Sequence, residues 1–413
     1  MKKWVLALSL LLAVAGAALT GCSNVQEVSG KDGQVEIVLA GWGGNPTETK
    51  LLNQTIQDFE KLHPSIHVKH EVITDQYMDI LKTRLIGGNG PDVFYLDALE
   101  APGLINTGVL EPLNSYVKSD FDVQDFEKPL LKAFQKNGET YGFPKDYSTL
   151  GLFYNKKLFK EAGVEVPKTW GEFEEVSKVF KKKGIQAFGV TPELARIFYM
   201  AQANGGDVVK NNKANFATKE VVDALQPLID QHLKDKTSVQ PSDVGANSGT
   251  DMFAQQKVAM VIEGNWMIPF LQESFPKLDY GTAEVPTING HKNTMAFTVA
   301  YVMNADSKKK KASWELIQYL TGKEGMETWT SKGYALPTRK SVADKLGFAE
   351  DEKRGPLVKG AAYATVWQDG PYLPIIMNNF NNQFLSAFLG QSDLETALKK
   401  AQKQANQEIS IYE

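Results

Sequence analysis

With a single cysteine, Cys22, in 413 residues, the chain can form no internal disulfide. Stability must come from packing, which a long chain supplies because the buried fraction rises with size. A basic surplus is also missing: 45 lysines and arginines face 49 acids, a formal charge of -4. Nucleic-acid binding needs clustered cations that release phosphate counterions, so it is excluded as a function. The lysine runs at 181–183 and 308–311 lie on amphipathic helical patterns and read as solvated faces. Catalytic signatures are absent too, with no Gly-x-Ser-x-Gly elbow, phosphate loop or zinc helix. Ser307 with Lys310 fits Ser-x-x-Lys only because a lysine run follows it. His63, His67 and His70 have the spacing of metal ligands on a helix. Pro64 breaks that helix, and residues 66–72 alternate as a strand, which sends His67 and His70 to opposite sides. Neither a metal nor a cofactor is expected. Paired carboxylates for glycoside hydrolysis stay open, because the fold sets their separation.

What the chain does have begins at its N-terminus. Lys2 and Lys3 precede an apolar or small stretch over residues 4–18, followed by Leu19-Thr20-Gly21-Cys22, the layout of a signal peptide over residues 1–21. The apolar run is shorter than the ~20 residues of a spanning helix. Its end resembles the bacterial lipobox, in which the cysteine thiol is acylated and becomes the first residue after cleavage. Cys22 is therefore expected to carry lipid, residues 22–33 to form a flexible tether, and the protein to sit outside the cytoplasm, anchored to the bacterial cell membrane. Loss of residues 1–21 removes two lysines and leaves the remainder more acidic.

Beyond the tether, residues 34–39 read as a strand, 41–46 as a loop and 47–62 as a helix with Leu51, Leu52, Ile56, Phe59 and Leu62 at helical spacing. A strand at 66–73, a helix at 77–85 and a buried strand at 91–96 follow. This alternation predicts an α/β lobe with a parallel sheet. Ligands on such sheets bind beyond the carboxyl ends of the strands, which points to the loops at 42–45 and 97–100. Helices are expected at 170–182, 219–233, 251–256 and 308–320, and a strand at 258–262. Ser392 and Glu395 have capping-box spacing for a last helix. The length suggests two or three domains at ~150 residues each, and no flexible spacer separates them.

Aromatic residues stand beside polar ones where loops are expected: Trp42 with Asn45, Asp146 with Tyr147, Asn265 with Trp266, and Trp367 with Asp369. A sugar ring has apolar C–H faces and an equator of hydroxyls, so it asks for aromatic platforms ringed by planar donors and acceptors. In an α/β protein of this size a tryptophan serves the core as readily as a ligand. Trp170 and Trp314 read as structural.

Several motifs then occur in a familiar order: Tyr141-Gly142-Phe143-Pro144-Lys145-Asp146, Tyr154-Asn155-Lys156, Val166-Pro167-Lys168-Thr169-Trp170, the run from Val258 through Glu263-Gly264-Asn265-Trp266, Ala312-Ser313-Trp314, and Gly333-Tyr334-Ala335-Leu336-Pro337-Thr338. Together they resemble the extracellular solute-binding proteins of carbohydrate ABC importers, the family of maltose-binding protein. The resemblance implies a type II, periplasmic-binding-protein-like fold of two α/β lobes, with residues 34–145 and 297–338 in lobe 1 and 146–296 and 339–413 in lobe 2. Crossovers would lie near 146–149, 295–298 and 339–342. By the same resemblance, Trp42, Asn45, Asp97, Asp146, Ser148, Glu193, Asn265, Trp266 and Trp367 would contact ligand. Ser148 replaces an acid common in relatives, Trp367 fits a lid or core role equally, and Arg339 is expected to brace backbone rather than ligand. Gln256 stands where relatives carry a glycine, which affects a turn.

The function implied is a monomeric, non-enzymatic receptor that captures a sugar, an oligosaccharide for preference, and delivers it to ABC permease subunits. Glycerol phosphates are the second ligand class. An extracellular glycosidase and an adhesion protein are the rivals from other classes.

Overall fold

In the computed structural model, residues 33–412 are described; the signal peptide expected at 1–21, the acylation expected at Cys22 and the tether expected at 22–33, Gly33 apart, lie outside them. Val35–Gly41 (β1) pairs in parallel with both Ile66–Val72 (β2) and Val93–Asp97 (β3). The crossover helices Pro46–Leu62 and Tyr77–Ile86 join them, as the sequence alternation predicts. The first helix turns Leu52, Ile56 and Phe59 into the core. Leu62 is exposed at its last turn, where the spacing had suggested burial.

The other strands of this sheet are Gly142–Asn155 (β4), Phe188–Gly189 (β5), Ser238–Val239 (β6), Met260–Gly264 (β7), Tyr280–Ala283 (β8), Met295–Met303 (β9) and Thr365–Val366 (β10). The sheet runs β6-β5-β7-β4-β9-β3-β1-β2, with β8 also on β4 and β10 on β9. The strand β4 is long enough to belong to both ends of this order. Residues 142–149 pair antiparallel with β9, and residues 150–155 pair with β7 and β8. Similarly, residues 299–303 of β9 pair with β3, while Met295 and Ala296 pair with β10. Both strands thus change partners between two halves of one sheet, β4 doing so between Thr149 and Leu150.

The apolar core forms several clusters. Ile37, Leu39, Phe59, Val93 and Trp314 form part of one cluster, whereas Phe173, Phe198, Phe380 and Phe384 belong to another. Trp170 is stacked on Phe173 with centroids 4.8 Å apart, and Trp314 meets Phe121 and Phe143 edge-on. Both are buried, which accords with their structural reading. Gln256 adopts φ +56°, the left-handed conformation that a glycine meets without strain. The last helix, Leu394–Ile409, is capped by Asp393, whose Oδ1 accepts from Thr396 N at 2.8 Å. Asp393 therefore takes the capping role that the spacing gave to Ser392, one residue earlier.

Arg339 fills the third crossover and is 1% exposed. Its guanidinium donates to the backbone oxygens of Thr321 at 2.6 Å, Phe121 at 2.8 Å and Asp122 at 3.0 Å. It also pairs with Asp125 at 3.3 Å and lies over Phe126, 4.1 Å from the ring centroid. Removing one partner of a buried pair strands the other charge and several carbonyls. Arg339→Met is expected to destabilise the fold by about 3–5 kcal/mol, read as a lower urea midpoint.

Candidate ligand-binding cleft

A cavity of about 220 Å³ opens where β4 changes partners, between the two halves of the sheet. Its first wall comes from the end of β1. A Cβ on Gly41 would come within 2.5 Å of the Tyr95 ring, so glycine there lets that ring lie against the strand. Trp42 then stands edge-on to Tyr95 at 5.2 Å and to Tyr77 at 5.1 Å, half-buried and lining the cavity. Asn45 does not line it. Its Oδ1 accepts from the backbone N–H groups of Thr47 and Glu48 at 2.9 and 3.0 Å, and Glu48 Oε2 accepts from Asn45 N at 3.0 Å. This reciprocal capping box occupies the Asn45 carboxamide, and Glu48 reaches the cavity in its place.

The floor is β4. The pairing with β9 shifts register between Val299 and Ala300: Val299 faces Asp146 and Ala300 faces Pro144. Lys145 is thus the extra residue of a β-bulge, which re-aims side chains locally. Both Lys145 and Asp146 consequently line the cavity, followed by Ser148. Lys145 Nζ forms an ion pair with Asp146 Oδ2 and lies 4.0 Å from the Trp329 ring centroid and 4.9 Å from that of Tyr95. Trp329 Nε1 donates to the same Asp146 oxygen at 2.8 Å.

From the other side comes Trp266. A Cβ on Gly264 would sit 2.1 Å from its indole, so the ring folds back over a residue that must be glycine. The guanidinium of Arg196 lies 4.9 Å from the ring centroid, and Phe297 meets the ring edge-on at 5.9 Å. Tyr334 completes the cavity mouth. Its backbone oxygen accepts from Asn265 Nδ2 at 3.0 Å and its hydroxyl bonds Glu273.

Of the residues implied by resemblance, Trp42, Asp146, Ser148 and Trp266 come together here, while the others are placed elsewhere. Asn265 is fully buried and ties Trp266's loop to Tyr334. Glu193 is exposed at the head of the helix Leu194–Ala203. Trp367 is 5% exposed and packs edge-on against Phe198 at 5.8 Å, a core role. Its neighbour Gln368 donates to the backbone oxygens of Ala98 and Ala133 at 2.9 and 2.6 Å. Asp97 accepts from Leu99 N at 2.8 Å and turns into its own loop. Sequence reasoning did not find Glu48, His70, Tyr95, Lys145 and Trp329. Asn45-x-x-Glu48 carried a visible capping-box spacing, but no local pattern marks Trp329.

Aromatic faces with fixed polar groups between them suit a polyhydroxylated ring. Among the described residues no group of three His, Cys, Asp or Glu is placed to hold a metal ion. Burial pushes the Asp97 carboxyl up to about 6, against one backbone N–H that favours its charge and the added repulsion of Glu100 and Asp146. The folded state then holds a proton that the unfolded chain releases near pH 4. Stability from this group is present below pH 4 and is lost as the pH rises to about 6. Asp97→Asn, which keeps the acceptor for Leu99 N, is expected to abolish that loss and to stabilise the protein at pH 7 by at most ~3 kcal/mol. Melting curves at pH 4 and pH 7 for both proteins check this.

Residues 43–327 match the family described as bacterial extracellular solute-binding protein. The multiple sugar-binding protein of Streptococcus mutans is 24% identical over 354 residues, 79% of this chain and 81% of that relative. The galactooligosaccharide-binding protein of Bacillus subtilis is 24% identical over 429 residues, 97% of this chain and 96% of the relative. The solved sugar-binding protein MalE of Xanthomonas citri superposes with a TM-score of 0.83 at 22% identity, covering 91% of this chain and 98% of that one, a likeness that establishes the two-lobed fold. With more than half of its length matched and its fold shared, this chain belongs to the bacterial extracellular solute-binding protein family.

Proposed function

We propose that the protein is the receptor of an ABC importer, which takes up a sugar, and an oligosaccharide for preference, between its two lobes and hands it to the membrane permease. The observation that carries this reading is the cavity at the strand switch, where Trp42, Trp266 and Trp329 surround Asp146. Indole faces suit the C–H faces of pyranose rings, and a carboxylate accepts from two hydroxyls at once. Relatives named as sugar- and oligosaccharide-binding proteins support the same ligand class. Glycerol phosphates fit this cavity less well. Phosphate recognition needs an available cation, and the ammonium of Lys145 is already paired with Asp146.

Residues 34–145 with 297–338 form lobe 1 in this reading, and 146–296 with 339–413 form lobe 2. They close around β4 and β9, the hinge movement typical of such binding proteins. Trp42, Asp146, Ser148 and Trp266 contact the ligand, which leaves chemically unchanged. Among the described residues no helix is long and apolar enough to cross a membrane, and membership of an extracellular family places the protein outside the cytoplasm. The anchor is Cys22, acylated before residues 1–21 are cut away. Two or more acyl chains hold a protein stably where one is marginal, and tethering raises the local concentration of a monomeric receptor near its permease.

A thermal-shift screen with maltotriose, galactotriose, arabinotriose, mannotriose and glycerol 3-phosphate tests this. Ligand at a hundred times its dissociation constant is expected to add ~2.7 kcal/mol to the native state, for at least one trisaccharide and not for the glycerol phosphate. Chromatography of the incubated sugar is expected to show no shortened product. Turnover, or a shift with glycerol 3-phosphate alone, overturns the reading.

A further inference from the structure

An ammonium that is 4% exposed in a ligand cavity calls for a role, because lysine is rarely buried unless paired. Lys145 is surrounded on all its polar reach. Asp146 Oδ2 holds it, and the rings of Trp329, Tyr95 and Tyr301 face it at 4.0, 4.9 and 6.0 Å. Such ring faces attract a cation most strongly where water is excluded. On an unbulged strand, residues 145 and 146 would point to opposite faces. The bulge is what brings a cation and a carboxylate, adjacent in sequence, to the same side.

The carboxylate is held unevenly. Asp146 Oδ2 receives both Lys145 Nζ and Trp329 Nε1, whereas Oδ1 receives neither. Asp146 is 8% exposed and lines the cavity. Its backbone is fixed as well, since its oxygen accepts from Thr298 Oγ1 at 2.8 Å.

We propose that Lys145 is a positioning residue for ligand capture: by clamping Asp146 Oδ2 it fixes the orientation of the carboxylate and presents Oδ1 as the acceptor for a pair of neighbouring sugar hydroxyls. This rests on the sugar-receptor reading. The other groups facing Asp146 are Asp97 and Tyr95 from β3 and Tyr301 from β9. All are acids or neutral hydroxyls, so Lys145 is the cation that holds the Asp146 carboxylate. Lys145→Met keeps the apolar stem among the rings and deletes only that cation.

Calorimetric titration with the best-binding trisaccharide of the screen, on the wild type, Lys145→Met, Asp146→Asn and the double variant, decides the matter. Lys145→Met is expected to weaken binding about tenfold, a loss carried by a hydrogen bond to a charged acceptor. In the Asp146→Asn background the same substitution is expected to change affinity less than about threefold, because the two residues act as one unit. Lys145→Arg, which keeps a cation beside Asp146, is expected to restore part of the affinity that Lys145→Met loses, a rescue that a merely structural lysine would not show. Equal losses in both backgrounds would mean that Lys145 touches the sugar itself and would overturn the proposal, as would a Lys145→Met protein that binds like the wild type. Should Lys145→Met fail to fold, the comparison of Asp146→Asn with the double variant still decides it. A wild type that binds no trisaccharide defeats the receptor reading instead, and this proposal with it.

Discussion

The backbone hydrogen bonds of Gly142–Asn155 go to β9 over the first half of the strand and to β7 and β8 over the second. Those groups cannot be left unpaired in the interior, so both halves of the sheet are fastened to one strand. Fully buried side chains brace the change of partner. Thr149 Oγ1 donates to Leu357 O at 2.6 Å, and Thr294 Oγ1 donates to Leu150 O at 2.8 Å. Relative motion of the halves must therefore pass through the few residues around this switch. The cavity lies at the same place.

The bulge at Lys145 lies just before that switch, and it distinguishes two acids on the strands either side of β9. Asp97 has one backbone N–H and no cation, and burial pushes its carboxyl up to about 6. Asp146, beyond the bulge, is given a lysine and an indole N–H. A similar logic governs Arg339, whose buried guanidinium is satisfied by three carbonyls and Asp125. In each case a buried charge marks a chain crossing that has to be held.

Much of the architecture was legible because it depends on short-range patterning. Periodicities of two and 3.6 residues marked the first three strands and the helix over 170–182. The resemblance implied the crossovers at 146–149 and 295–298 and nine ligand contacts. Of these nine, Trp42, Asp146, Ser148 and Trp266 line the cavity, whereas Asn45, Asp97, Glu193, Asn265 and Trp367 lie outside its lining. Their side chains are occupied by a cap, a turn, a solvent-facing helix end, a loop tie and a core contact respectively.

The sequence by itself determined the α/β class, the alternation of strand and helix and the absence of disulfides, since each rests on composition or on residues close together in the chain. Only the tertiary structure decided which side chains share the cleft. Trp329 and Asp146 stand 183 residues apart, and their contact depends on a helix docking against a bulged strand. The direction of a side chain beyond a bulge follows from the register of the partner strand, which no local pattern specifies. Lys145 therefore reads in sequence as one more lysine, and in the fold as the cation at the centre of the site.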